Sequence, residues 1–153
     1  MDLGPFRHPA YQFSIIEGPP MTMPLYVRAV RTGDLLFISG QLPLAEAGLL
    51  HPGHVGREVT VEQAREAAAL AARRCLDVAK DELGSLDAIK AVARIGGYVA
   101  AAEGFVDAPA VVDAASQVAL DELGERGRHA RLAMGVASLP LGACVEIEMA
   151  VQC

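Results

Sequence analysis

The order of apolar and polar positions divides the chain into short extended runs and two long helical ones. Residues 25–31 and 35–39 read as strands around Thr32-Gly33-Asp34, where a glycine and an aspartate suit a tight hairpin. A loop containing Gly, Pro and His follows at about 41–56. Thr60 then opens a helix, because its hydroxyl can cap the first turn and Gln63 completes a capping box. Ala64, Ala67, Ala68, Ala71, Cys75, Val78, Ala79 and Leu83 recur at helical spacing and form one apolar stripe. Gly84 ends that helix. A third strand is expected at about 88–99, weakened at Gly96-Gly97. A second helix starts near Pro109 and ends before Gly124. Residues 131–138 and 143–151 read as two more strands, joined by a turn through Pro140-Leu141-Gly142. The order β-β-α-β-α-β-β predicts an α+β fold with both helices on one face of a sheet. In the last strand Glu146, Glu148, Ala150 and Gln152 share one face, while Val145, Ile147, Met149 and Val151 share the other.

Composition sharpens this picture. A length of 153 residues suits one domain, expected over 25–153. Residues 1–24, with Pro5, Pro9, Pro19, Pro20 and Pro24, read as an extended N-terminal arm. Hydrophobic residues make up 52% of the chain although aromatics supply only 5%; the excess is largely alanine. So apolar a chain is not intrinsically disordered, yet its central apolar run, 67–72, stops at Arg73, too short for a membrane span. The surplus points to a buried interface between copies of the chain. The net charge of −6 argues against nucleic acid as a partner. Cys75, Cys144 and Cys153 are widely spaced and imply neither a disulfide framework nor a zinc site. The first residues lack a secretory pattern, and a cytoplasmic location is the expectation.

Four places could carry chemistry. Arg131 opens one strand and Glu146 lies on the next, expected to be its antiparallel neighbour, so both could reach the helix-free face. A guanidinium binds a carboxylate bidentately, and a carboxylate can deprotonate a water; a cross-strand ion pair is the simpler alternative. The run Glu125-Arg126-Gly127-Arg128-His129-Ala130-Arg131 is locally basic and offers an imidazole, or is a solvated connection. His51 and His54 fall short of a metal ligand set, and no metal is expected. Ser39 offers a hydroxyl and Gly40 allows close approach of a ligand, or merely turns the chain. Phosphate-binding loops, dinucleotide fingerprints and nucleophile elbows are missing from the sequence.

Two of these stretches resemble the Rid/YjgF family, which also carries the description L-PSP endoribonuclease or translation inhibitor. They are Gly33-Asp34-Leu35-Leu36-Phe37-Ile38-Ser39-Gly40-Gln41-Leu42-Pro43-Leu44, and Gly127-Arg128-His129-Ala130-Arg131 continuing through Gly135-Val136-Ala137-Ser138-Leu139-Pro140 to Val145-Glu146-Ile147-Glu148. The likeness spans about 25–151 and is greatest to the longer branch of roughly 150 residues. It implies a chorismate-mutase-like fold, a homotrimer with clefts between subunits, and a site without cofactor that hydrolyses 2-imino or enamine acids to 2-keto acids and ammonia. By the same resemblance Arg131 holds the carboxylate of a small acid ligand, Glu146 positions the water, and Tyr26, Ser39 and Gly40 line the pocket. Leu132 and Ala133 depart from the polar residue and cysteine common after the arginine, and Asp113 replaces an asparagine of the second helix. Those departures keep open a ligand-binding or regulatory trimer without turnover. The family's label adds an RNA-cleaving reading through residues 126–131. Chorismate mutase activity does not follow from a shared fold.

Overall fold

The computed structural model describes residues 25–153, and the expected arm at 1–24 lies outside the described residues. Seven strands and two long helices follow in order: β1 (Ala29–Thr32), β2 (Leu35–Gln41), β3 (Leu44–Ala45), β4 (Gly48–Leu49), α1 (Val61–Leu83), β5 (Ala91–Ala100), α2 (Ala108–Leu123), β6 (Ala130–Val136) and β7 (Val145–Gln152). Five strands form a mixed sheet ordered β1-β2-β7-β5-β6, and β3 and β4 form a small hairpin inside the expected loop. Both helices pack on one face of the sheet, the α+β arrangement read from the sequence.

Local chemistry sets the boundaries. At α1 the Thr60 hydroxyl accepts from the Gln63 amide at 3.2 Å while the Gln63 side chain accepts from the Thr60 amide at 3.0 Å. Gly84 closes the helix at φ +83°, a left-handed conformation that costs a residue with a Cβ. Ala64, Ala67, Ala68, Ala71, Ala72 and Ala79 are fully buried, so the short side chains bring the backbone of α1 close to its support. β7 lies at the centre, and its residues alternate between buried and half-buried, with Val145, Ile147, Met149 and Val151 in the core. The alternation places Glu146 and Glu148 on the helix-free face.

Three expectations change. First, β1 starts at Ala29, not at residue 25. Second, Gly96 and Gly97 do not weaken β5, which runs unbroken from Ala91 to Ala100. A Cβ at Gly97 would lie 2.4 Å from Val112 of α2, and one at Gly96 would lie 2.6 Å from the Glu148 carboxylate. The two glycines thus let a helix press on one side of the strand and a carboxylate on the other. Third, β6 is not the antiparallel neighbour of β7. It runs parallel to β5 at the sheet edge, because the β5–α2–β6 segment is a crossover connection and such connections join parallel strands.

Single-residue register shifts occur in the pairing of β7 with both of its neighbours. One falls between Ile38 and Gln41 in β2, the other between Val92 and Arg94 in β5. Each adds one residue opposite β7, and bulges of this kind increase local twist. The three cysteines are free and buried; burial pushes the Cys144 thiol up to about 11 and raises that of Cys75 further. Among the described residues no helix is long and apolar enough to cross a membrane.

Candidate functional site

The helix-free face gathers polar groups around the two carboxylates of β7. Register sets Glu146 opposite Tyr98, and Glu148 opposite Gly96. The Tyr98 hydroxyl donates to Glu148 at 3.1 Å, and the Arg94 guanidinium stands 3.8 Å from the same carboxylate. A Cβ on Gly40 would fall 2.0 Å from Glu146 Oε1, so glycine at the β2 bulge is what admits this side chain. Partial burial, and then the nearby charge of Glu148, raise the Glu146 carboxyl above its ordinary value. Burial, followed by the bond to Glu148, likewise raises the Tyr98 hydroxyl. Beside them lies an open hollow of about 380 Å³ lined by Val30, Phe37, Ser39, Arg94, Gly96 and Glu148, among others.

A second polar group sits at the edge strand. Arg131 opposes Ile95, a core residue, so its side chain leaves the sheet on the helix side. There Nη1 donates to Asp113 at 2.5 Å and to the Ser116 hydroxyl at 3.3 Å. Asp113 and Ser116 are three positions apart on α2 and therefore share a face. His129 completes the chain of contacts, with Nδ1 2.6 Å from the Gly127 carbonyl and Nε2 2.9 Å from Ser116 Oγ. A carbonyl can only accept, so Nδ1 donates to Gly127 and carries a proton.

The structure therefore separates what the sequence placed together. Glu146, Ser39 and Gly40 lie on or beside the helix-free face. The Ser39 hydroxyl donates to the Val27 carbonyl at 2.7 Å, which ties the exposed Tyr26-Val27 stretch to the β2 bulge. Arg131 belongs to the other group: β5 stands between its strand and β7, and its side chain points to the opposite side of the sheet. A cross-strand Arg131–Glu146 pair within one chain is ruled out by this register. The arginine's partner is Asp113 instead. Sequence reading missed Ser116, Tyr98 and Arg94. The i, i+3 spacing of Asp113 and Ser116 was a usable signal for the first, whereas the other two depend on a strand pairing that the sequence does not display.

The basic run at 126–131 is largely engaged within the chain. Arg128 pairs with Glu125 at 2.6 Å, and Arg126 donates to the Ile89 carbonyl at 2.6 Å. His51 contacts Glu66 at 2.9 Å, and His54 Nε2 lies 3.0 Å from the Ala137 carbonyl. No group of three or more metal-ligating side chains forms among the described residues.

Comparison with known proteins gives a consistent relationship. The sequence pattern of the family described as "YjgF/chorismate mutase-like, putative endoribonuclease" matches residues 22–151. Protein TCP17 of Trypanosoma cruzi is 38% identical over 128 residues, 83% of this chain and 80% of the relative. The structure of Atu1372, a protein with unknown function from Agrobacterium tumefaciens, is 42% identical and superposes with a TM-score of 0.82, covering 87% of this chain and 86% of the other. A putative endoribonuclease from Shewanella oneidensis MR-1 is 27% identical with a TM-score of 0.83, covering 87% and 88%.

Proposed function

Because this chain belongs to the YjgF/chorismate mutase-like family, we propose that it hydrolyses small 2-imino acids to 2-keto acids and ammonia, in clefts assembled between copies of a homotrimer. The observation that carries the reading is the division of the polar groups. Arg131 sits on an edge strand, and Glu146 sits two strands away on the opposite face. One copy holds two half-sites that do not meet, and a second copy laid against the edge would bring the complementary half to each.

In such a cleft Arg131 binds the substrate carboxylate, and Glu146 in its ionised form takes a proton from water as the oxygen attacks C2 of a protonated imine. The proton passes to the nitrogen of the tetrahedral adduct. The carbon–nitrogen bond then breaks as the hydroxyl proton returns to Glu146, and the departing ammonia takes that proton to leave as ammonium. A protonated 2-imino acid and one water thus give a 2-keto acid and ammonium. A carboxyl raised above its ordinary value suits this work, since a base is most effective with a pKa near the working pH.

The test is subunit mixing. R131A and E146Q should each abolish ammonia release from 2-iminobutanoate generated in situ. Mixed trimers from equal amounts of the two should regain about a quarter of the wild-type rate, since a productive cleft needs one intact residue from each neighbour. No recovery would place both residues in one chain's site or in none. The family's description also favours RNA cleavage, but His129, the acid–base group that reading would use, has both ring nitrogens engaged. RNA hydrolysis unaffected by H129A and R131A would remove residues 126–131 from that role.

A further inference from the structure

Three groups on the helix side of the edge strand stand in a chain of contacts that the proposed imine hydrolysis does not use. His129 Nδ1 lies 2.6 Å from the Gly127 carbonyl, and its Nε2 lies 2.9 Å from Ser116 Oγ. The carbonyl orients the ring and keeps a proton on Nδ1, so in the neutral imidazole the lone pair is on Nε2 and faces the serine hydroxyl. A hydroxyl, a ring nitrogen within hydrogen-bond reach of it, and a third group that orients the ring are the parts that activate a nucleophilic serine. Arg131 adds a cation. Its Nη1 donates to the same Oγ at 3.3 Å, which favours negative charge on that oxygen.

The fold holds these parts in place. A Cβ on Gly127 would fall 2.1 Å from the Ala119 carbonyl of α2, so glycine is what lets this segment lie against the helix. Ala119 follows Ser116 by three positions and shares its face of α2. The close approach at Gly127 therefore delivers His129 to the serine one turn away. Ser116 and His129 are both half-buried, shielded from bulk water without being sealed in the core.

We propose that Ser116 and His129 form a nucleophile–base dyad that cleaves small carboxylic esters. As Oγ attacks the ester carbonyl carbon, its proton moves to Nε2. The tetrahedral adduct then collapses, the carbon–oxygen bond to the alcohol breaks, and Nε2 gives the proton to the departing alkoxide, leaving the acyl group on Ser116. A water that loses its proton to the same nitrogen attacks the acyl carbon, the acid leaves, and Oγ regains its proton. One ester and one water thus give one acid and one alcohol. The dyad lies within one chain and needs neither Glu146 nor a second copy, so it stands apart from imine hydrolysis.

A fluorophosphonate, which phosphonylates a serine that a base activates, and 4-nitrophenyl acetate test this on the intact protein at mildly alkaline pH, where imidazoles are neutral. Peptide mass mapping should find the phosphonyl group on Ser116. H129Q keeps a polar side chain and removes the base, so it should label about a hundredfold or more slowly, the contribution typical of a general base. Release of 4-nitrophenolate by S116A should fall to the rate left in phosphonylated wild-type protein. Wild-type protein unlabelled at Ser116, H129Q labelled as fast as wild type, or S116A releasing nitrophenolate at the wild-type rate would each overturn the proposal.

Discussion

Glu146 lies partly buried beside a second carboxylate, and its carboxyl is raised for that reason. A raised carboxyl means that the folded chain holds a proton more tightly than the unfolded one, so stability falls as pH rises from the unfolded value through the folded one. E146Q should therefore melt at a higher temperature than wild type at pH 7. The difference should vanish below the ordinary carboxylate range, where Glu146 is protonated in both states, and thermal melts across pH would show it. The activity lost and the stability gained would come from one substitution, as expected where a functional group is held in an unfavourable setting. Gly97 is constrained by contact, not by conformation. G97A would push a Cβ into Val112 and should cost about 1–3 kcal/mol in urea unfolding. V112A in the same chain should return part of that loss, because the two positions touch.

The elements were largely legible because their signals are local. Thr60 with Gln63, the alanine stripe and Gly84 delimit α1 from the sequence, and the structure repeats each contact. T60A should lower stability by about 1 kcal/mol, read by chemical denaturation, since the orphaned Gln63 amide loses its acceptor. The alternation of β7 was equally plain. What could not be read was pairing. Nothing in residues 130–136 or 145–152 says that β5 inserts between those strands, and alternation alone does not tell on which side of the sheet Arg131 lies. The one-residue shifts beside β7 were hidden for the same reason: they exist only as a relation between two strands. Gly40 and Gly96 were noticed as glycines, but their purpose, to admit Glu146 and Glu148, appears only with the partners in place.

At the scale of the whole molecule, the alanines of α1 and α2 take up much of the apolar surplus in the core, and the helix-free face adds large apolar side chains that stay exposed. Val30, Phe37 and Met134 lie on that face and are each about half exposed. Burying such a face against copies of itself is the usual remedy. F37K and M134K together should therefore shift the proposed homotrimer toward its 16.0 kDa chain in light scattering while leaving the helical signal intact. A trimeric mass unchanged by both lysines would move the interface elsewhere. The edge strand also has a kinetic side. Folding of one chain is first order in protein, but covering the rim of β6 with a second copy, as in the proposed trimer, requires an encounter and is second order or higher. Between the two events the outer side of β6, which pairs with no further strand among the described residues, displays a row of amides and carbonyls. A newly folded copy is thus in a race between its proper neighbours and any other extended segment within reach, and the outcome of that race depends on how crowded its surroundings are.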